Sequence, residues 1–329
     1  MSAPSSPAEV LFEADAALIT LPAVDHYAGS EKLITKALQR QATLGPVFDI
    51  TTDCEDGASA GAESEHALMC AGMVMSSANV HNRVGARIHD ITHPHWQHDV
   101  EILVSHAGSR LAFLTLPKPR SAADVAIQMS FIRDCELRAG LTRQIPVHVL
   151  IETFGALHEV WQIAALAGVE SLDFGLMDFV SAHQGAIPSR AMQSPGQFEH
   201  PLIRRAKCEI AHAAIAHGRV ASHNVTTELQ DTAVVYEDAR RAREEFGYTR
   251  MWSIHPNQIE PILHAMRPAL DEVDTACEIL LAAEKNAWGP IRHEGRLHDR
   301  ASYRFYWTLL RRAAATGHTL PADIRGWLG

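Results

Sequence analysis

The chain has 329 residues, of which 47% are hydrophobic and 21% charged, so it can bury the core of one large domain or of two ordinary ones. Its formal net charge of −10 argues against a nucleic-acid or anionic-membrane surface, because phosphate binding needs clustered Lys and Arg. The sequence has no apolar run long enough for a membrane-spanning helix.

The N-terminal stretch "MSAPSSPAEVLFEADAA" lacks the basic segment and the apolar core of a secretory signal, and its Ser and Pro residues predict a loose arm. The five cysteines form no C-x-x-C pair. An odd number of scattered cysteines predicts buried, reduced thiols and a cytoplasmic location.

Short apolar runs then alternate with segments of helical periodicity along most of the chain. The strand candidates are residues 17–21, 47–51, 86–88, 111–116, 147–151, 171–176, 219–222 and 250–254. Helices are predicted between them, among others over residues 122–139, 156–167, 202–217 and 228–246. This alternation predicts a parallel sheet, and its length suits a closed (β/α)₈ barrel.

An open doubly wound sheet is the alternative fold, although no G-x-G-x-x-G or Walker A motif supports nucleotide binding. We assign residues 1–267 to the barrel with its N-terminal arm. Residues 268–329 are predicted to be a helical C-terminal extension, interrupted by a polar break over residues 288–302.

Two carboxylates follow neighbouring predicted strands. Glu152 ends the run "VHVLI", and Asp178 follows the run "SLDFGL". In a barrel the carboxyl ends of the strands surround the active site, so both side chains are expected to face one pocket. Two oxygen ligands suit Mg²⁺, which keeps other positions for water or substrate. Solvated loop acids, or a helix cap at Asp178, are the plain structural alternatives.

A second acidic group, Asp53, Glu55 and Asp56, crowds the end of the second predicted strand in "DITTDCED". Such like charges need a cation or hydrogen-bond donors nearby, unless they form an ordinary acidic turn. Arg87 lies within the third predicted strand, where a buried guanidinium needs an anionic partner. That partner is either a substrate carboxylate or an internal salt bridge.

Three further side chains are candidates for the site. His89 follows the third strand, Lys118 lies in "LPKP" after the fourth strand, and His255 follows the eighth. Lys118 could be a Schiff-base amine or part of a rigid turn between prolines. His255 could be an acid or base, or a hydrogen-bonded structural histidine.

Six segments, taken in order over roughly residues 17 to 312, resemble motifs of the citrate lyase β-subunit-like family of the HpcH/HpaI aldolase and citrate lyase superfamily. They are "DCED", "ARIHD", "LPKPRSAADV", "VLIETFGAL", "LDFGLMDF" and "RMWSIHPNQIEPI". The resemblance implies a (β/α)₈ barrel that binds Mg²⁺ through Glu152 and Asp178. It also implies cleavage or formation of a carbon–carbon bond next to a CoA thioester, as in malyl-CoA or citramalyl-CoA lyases.

The same resemblance implies roles for other residues. Arg87 would bind the carboxylate of the 2-oxo acid, and Glu55 and Asp56 would lie around the metal or hold Arg87. The segment "EGRLHDRAS" resembles a family pattern that packs over a neighbouring subunit's site, which makes Asp299 a candidate acid or base acting in trans. A homotrimer or homohexamer is therefore expected.

The sequence departs from the family pattern at positions that line the pocket or the approach of CoA. Ala23 follows Pro22 where the family has a glycine, "HALMC" replaces a segment with a basic pair, and His89 replaces an asparagine. These departures leave two other functions open. One is a lyase or aldolase of free hydroxy acids, and the other is a non-catalytic citrate lyase-like subunit.

Overall fold

A computed structural model describes residues 6–12, 19–56 and 61–328. Within them, eight parallel strands close into a barrel, each paired with the next and the eighth paired with the first. The strands are β1 Val24–Ala28, β2 Phe48–Asp53, β3 Val84–Arg87, β4 Leu114–Leu116, β5 Val147–Ile151, β6 Val169–Phe174, β7 Val220–His223 and β8 Arg250–Ser253. The predicted (β/α)₈ barrel is confirmed, and the open sheet is excluded.

Helices connect and surround the strands. They are α1 Pro7–Leu11, α2 Glu31–Leu44, α3 Glu63–Met75, α4 Trp96–Ala107, α5 Ala122–Arg138, α6 Phe154–His158, α7 Val160–Ala165, α8 Leu176–Ala182, α9 Gly196–Glu199, α10 Pro201–Ala216, α11 Thr232–Phe246, α12 Pro256–Met266, α13 Leu270–Lys285, α14 Arg300–Ala315 and α15 Ala322–Leu328.

Burial on both faces explains why the barrel strands are mostly short apolar runs. Every residue of β2 and of β5 is buried, as expected for parallel strands covered by helices. The helices begin at recognisable caps. The Ser121 hydroxyl accepts a hydrogen bond from the backbone N–H of Asp124 at the start of α5, and Pro201 occupies the first turn of α10.

The first strand was predicted in the wrong place. It lies at Val24–Ala28 rather than at residues 17–21, of which residues 17 and 18 are outside the described part. Asp25 and Tyr27 give β1 a polar character that an apolar-run criterion does not recognise. The departure noted at Pro22 and Ala23 therefore precedes the strand instead of ending it. The other seven strands overlap their predicted runs.

The helix predicted over residues 156–167 is also wrong, since two short helices, α6 and α7, take its place. They meet at Glu159, whose φ of −105° and ψ of 20° leave the helical range. The Glu159 carboxylate accepts a hydrogen bond from the backbone N–H of Ala122 at 2.8 Å. This bond to the start of α5 accounts for the break.

The described residues before Pro22 and from Met266 onward form a second compact unit. Its core contains buried side chains of α13 and α14, and a two-stranded antiparallel hairpin, β9 Ile291–His293 and β10 Arg296–His298, lies in the predicted polar break. The loose arm was wrong for residues 6–12. A capping box at Ser6 caps the N-terminal end of α1, and Leu11 is buried in the core of this unit.

All five cysteines are free thiols. Four are buried as expected, but Cys208 is exposed on α10. Among the described residues, none of the helices combines the length and the apolar character needed to cross a bilayer.

Candidate active site

A pocket of about 210 Å³ opens at the carboxyl ends of the barrel strands, where barrel enzymes carry their reactive groups. Four predicted residues line it: Asp56 after β2, Arg87 at the end of β3, Glu152 directly after β5, and Asp178 in the first turn of α8. The structure thus brings together side chains that lie up to 122 positions apart in the sequence.

Arg87 is almost fully buried and is held by two carboxylates. Its Nε donates to Asp53 Oδ1 at 2.7 Å, and its Nη1 lies 3.0 Å from Glu55 Oε2. Although burial opposes it, the charge of Asp53 raises the pKa of Arg87 well above its usual value. Arg87 therefore forms internal salt bridges and also lines the pocket, so the two alternatives for its partner do not exclude each other. Arg87 is a permanently charged donor with a fixed orientation.

Lys118 joins the acidic groups around the pocket. Its Nζ lies 2.9 Å from Glu55 Oε1, 3.2 Å from Asp56 Oδ1 and 3.9 Å from Asp178 Oδ1. Although burial opposes it, pairing with Glu55 raises the pKa of Lys118. An ammonium held in this way has no free electron pair for a Schiff base. These ion pairs favour the rigid turn over the Schiff-base amine, and the positive φ of 49° at Lys118 also supports the turn.

Glu55 and Asp56 differ in their surroundings although they are adjacent in sequence. The Glu55 side chain is 6% exposed and bridges Arg87 and Lys118, and burial raises its pKa. The Asp56 side chain is 57% exposed and lies 3.7 Å from Arg87 Nη1. Glu55 therefore fixes the two cationic side chains, whereas Asp56 faces solvent at the rim of the pocket.

Glu152 is the most perturbed carboxyl group of the pocket. Burial, followed by the charge of Asp178, raises the pKa of Glu152 to about 8. Its Oε1 accepts a hydrogen bond from the backbone N–H of Lys118 at 2.8 Å. A buried carboxylate next to another carboxylate is stabilised in its charged form by a bound cation.

Gly175, between β6 and α8, leaves the space that Glu152 occupies. A Cβ atom at this position would lie 2.1 Å from Glu152 Oε2 and 2.6 Å from Glu152 Cβ. Any larger residue would push the carboxylate away. The missing side chain at Gly175 therefore allows Glu152, at the end of the neighbouring strand β5, to keep its position.

Asp178 is 45% exposed and lies at the N-terminal end of α8. The helix dipole favours its negative charge there. The N-cap position of α8 belongs to Gly175, so the alternative of Asp178 as the cap is wrong. Together, one buried and one accessible carboxylate at an open pocket make a donor set that suits a hard divalent cation.

Two predicted histidines lie outside the residues that line the pocket. His89 Nδ1 lies 2.6 Å from Asp99 Oδ2, and its ring stacks on His93 at 3.9 Å. His255 Nδ1 accepts a hydrogen bond from the backbone N–H of Asn257 at 3.2 Å at the start of α12. These contacts give both histidines structural partners, and their roles in substrate binding remain predictions.

Among the lining residues that the sequence did not predict, Tyr27 and Asn224 carry polar side chains. The Tyr27 hydroxyl donates to Asp53 Oδ2, and the Arg87 guanidinium lies 5.3 Å from the centre of the Tyr27 ring. Tyr27 was missed because the first strand was misplaced. Asn224 was missed because an isolated asparagine after a weak strand carries no signal, although it is almost fully buried at the pocket.

Asp299 belongs to the second compact unit and is exposed. It is the N-cap of α14, where its Oδ1 accepts a hydrogen bond from the backbone N–H of Ala301 at 3.0 Å. Ser302 completes a capping box by accepting a hydrogen bond from the Asp299 N–H. Asp299 thus has a structural role in its own chain, and a role in catalysis is left to the proposal below.

Comparison with known proteins assigns the chain to a family. A model of the HpcH/HpaI aldolase/citrate lyase family matches residues 38–256. The L-malyl-CoA/beta-methylmalyl-CoA lyase of Cereibacter sphaeroides is 27% identical over 249 residues, which cover 70% of this chain and 76% of that protein. The citrate lyase subunit beta-like protein of Mycobacterium tuberculosis is 30% identical, covering 65% of this chain and 70% of that protein.

Solved structures agree with this assignment. A citrate lyase from Burkholderia xenovorans LB400 is 55% identical, with a TM-score of 0.86 and coverage of 98% of this chain and 99% of that chain. The protein CitE of M. tuberculosis, solved with magnesium, acetoacetate and coenzyme A, is 22% identical and shares the fold, with a TM-score of 0.68 and coverage of 90% and 100%. The chain belongs to the HpcH/HpaI aldolase/citrate lyase family, and it is a carbon–carbon lyase by that membership.

Proposed function

We propose that this protein is a Mg²⁺-dependent lyase that cleaves or forms a 3-hydroxyacyl-CoA thioester, such as malyl-CoA or citramalyl-CoA, giving an acyl-CoA and a 2-oxo acid. The observation that carries the proposal is the shared pocket of Glu152, Asp178 and Arg87. Two carboxylates that could bind a metal and one cationic donor of fixed orientation line this pocket, which supports the proposal. The family relatives that act on malyl-CoA support the substrate class.

Glu152 and Asp178 would hold the Mg²⁺ ion. The fit rests on the raised pKa of Glu152, on the space left by Gly175 and on the oxygen-only donor set. When bound, Mg²⁺ supplies a Lewis acid that withdraws negative charge from the oxygens of the 2-oxo acid.

Arg87 would bind and orient the carboxylate of the 2-oxo acid. Asp53 and Glu55 engage its Nε and Nη1, whereas among the described residues its Nη2 has only a 3.4 Å contact with the Tyr27 hydroxyl. Nη2 can therefore donate to a substrate oxygen without losing a strong internal bond. Because the guanidinium is already oriented, little reorganisation is needed when negative charge develops on the substrate.

The reaction also needs a group that takes and returns a proton, and we assign it to Asp299 of another copy of the chain. The support is the resemblance of "EGRLHDRAS" to the family segment that covers a neighbouring site. This assignment requires a homo-oligomer, a trimer or a hexamer. The five free thiols support a cytoplasmic location for it.

The test is a product assay on the full-length chain with malyl-CoA and citramalyl-CoA. We expect release of acetyl-CoA together with glyoxylate or pyruvate, its loss in EDTA, and its recovery with excess Mg²⁺. Glu152→Gln should abolish turnover, whereas Glu136→Gln, a buried glutamate of α5 outside the pocket, should keep it. Absence of turnover of both thioesters under every divalent metal would overturn the proposal.

A lyase of free hydroxy acids is the second candidate, and the pocket size favours it specifically. About 210 Å³ accommodates a small oxo acid but is below the usual range for larger ligands. Turnover of free malate or citramalate, with pyruvate binding and no CoA binding, would select this candidate. Normal Mg²⁺ binding without turnover of thioesters or free acids would instead indicate a non-catalytic citrate lyase-like subunit.

A further inference from the structure

The barrel interior is strongly polar on the strand segments that precede the pocket. TIM barrels usually fill this space with layers of branched aliphatic side chains. Here the fully buried residues Asp25, Asp49, His148, Asp173 and Arg250 come from β1, β2, β5, β6 and β8. Such a group must satisfy its charges internally, because it has no contact with water.

The arginines of the interior neutralise only part of the negative charge. Arg250 lies 2.8 Å from Asp25 Oδ2 and 2.6 Å from Asp49 Oδ2, and Arg83 lies 2.8 Å from Asp49 Oδ1. The complete group consists of four carboxylates, Asp25, Asp49, Glu170 and Asp173, and two guanidiniums, Arg83 and Arg250. Among the described residues, Arg83 and Arg250 form ion pairs with Asp25 and Asp49 but not with Asp173, and burial raises the pKa of Asp173.

The ring of His148 is oriented as a metal ligand would be. Its Nε2 lies 3.1 Å from Glu170 Oε2, and a carboxylate can only accept, so Nε2 carries the hydrogen. Its Nδ1 is buried and has no hydrogen-bond partner in the part of the chain that the structure describes. A histidine that donates one ring N–H to a carboxylate and presents the other nitrogen as a free acceptor is the arrangement found around protein-bound zinc.

Other unpartnered atoms accompany this nitrogen. Asp173 Oδ2 is buried and has no hydrogen-bond partner, and neither have the hydroxyls of Thr115 and Ser222. Thr115 is the register neighbour of His148 across β4 and β5, and Ser222 is that of Asp173 across β6 and β7. Several polar atoms without partners in one buried place indicate a missing binding partner.

Distances favour an ion over a direct hydrogen bond. One potential ligand atom each from Asp25, His148 and Asp173 lies within 4.8 Å of the others. Nδ1 forms no hydrogen bond across this space, whereas a direct bond would need about 2.7–3.2 Å. Ligand atoms of a tetrahedral zinc ion with bonds of about 2.0–2.2 Å are about 3.4 Å apart, so the three side chains would move together by up to about 1.4 Å on binding.

We propose that Asp25, His148 and Asp173 bind a divalent transition-metal ion, Zn²⁺ by preference, inside the barrel. One imidazole and two carboxylates suit Zn²⁺ better than Mg²⁺. The ion would be structural, since the site is closed to solvent and separate from Glu152 and Asp178.

The test measures metal binding in the full-length Asp178→Asn variant, so that the proposed Mg²⁺ site does not contribute. After chelation and reloading, elemental analysis should find about one Zn²⁺ or Co²⁺ per chain, and the Co²⁺ form should show a visible ligand-field band. Adding His148→Asn or Asp173→Asn should weaken binding by more than about 100-fold and remove the band.

Asp238→Asn is the matched control, because Asp238 is an equally buried aspartate that hydrogen-bonds Ser194 and Gln197 outside this group. It should keep the metal and the band. Unchanged metal binding in His148→Asn or Asp173→Asn would overturn the proposal. If both variants fail to fold, anomalous diffraction from zinc-soaked crystals of the parent decides, and water or nothing between the three residues refutes the site.

Discussion

Replacing Gly175 by alanine should impair Mg²⁺ binding, and the effect should arise only from displacement of Glu152. The added Cβ would lie 2.1 Å from Glu152 Oε2, so the carboxylate must move by more than about 1 Å to restore a normal contact of about 3.5 Å. Glu152 has little freedom to move, because it is buried and its Oε1 is bonded to the backbone N–H of Lys118. We therefore expect the metal-binding geometry to be lost.

The expected size of the effect follows from similar perturbations elsewhere. Moving a ligand by changing its supporting residue typically weakens metal binding by about 10–100-fold. Overpacking of this kind also reduces the free energy of unfolding by about 1–3 kcal/mol. Titration calorimetry with Mg²⁺ measures the first quantity, and urea unfolding of the metal-free protein measures the second.

Gly85→Ala is the control that separates the two effects. A Cβ at Gly85, in β3, would lie 2.4 Å from the Phe113 ring. This variant should lose a similar free energy of unfolding while keeping its Mg²⁺ affinity. If Gly175→Ala binds Mg²⁺ as tightly as the parent, Glu152 is not a ligand, and the reasoning from the pocket geometry is refuted.

Other predictions concern the carboxyl groups directly. Glu152→Gln and Asp178→Asn should each abolish Mg²⁺ binding in calorimetry with little change in circular dichroism, because strand-end residues contribute little to the core. In the metal-free protein the pKa of Glu152 is about 8, against about 4.3 when unfolded. The folded chain therefore binds more protons between these values, and its stability from this group falls as pH rises through them. Mg²⁺ must displace that proton, so calorimetry near pH 7 in buffers of different ionisation enthalpy should find release of about one proton, absent in Glu152→Gln. Asp299→Asn should reduce kcat but keep the cap of α14 and the melting temperature, since asparagine is an equally good N-cap; an unchanged kcat would remove Asp299 from the mechanism.

The barrel could be predicted because its strands are buried on both faces. Runs such as residues 147–151 are apolar for this reason, and the helices between them begin at residues such as Ser121 and Pro201 that favour helix starts. β1 escaped prediction because its inward residues, Asp25 and Tyr27, are polar. Asp25 pairs with Arg250 inside the barrel, and Tyr27 lines the pocket. Both contacts connect residues distant in sequence, so a local pattern does not contain them.

The candidate site was predictable where function coincides with a strand end. Glu152, Asp178 and Arg87 each follow or end an apolar run. The hydrogen bonds that fix them were not predictable, because they connect residues distant in sequence, such as Tyr27 and Asp53. The contact between His89 and Asp99 on α4 was not predictable either, because no local pattern around His89 indicates it.

The distribution of charge around the pocket explains why two carboxylates, and not the other acids nearby, are left for a metal. Asp53 is neutralised by Arg87 at 2.7 Å, and Glu55 by Lys118 at 2.9 Å. Glu152 receives only a backbone N–H, and Asp178 reaches an ammonium only at 3.9 Å. The pKa directions of Asp53 and Glu152 differ accordingly, because although burial opposes it, Arg87 lowers the pKa of Asp53, while burial and Asp178 raise that of Glu152. Within the described residues, these two carboxylates have no cationic side chain closer than 3.9 Å, so the proposed divalent ion would supply the positive charge that the side chains do not.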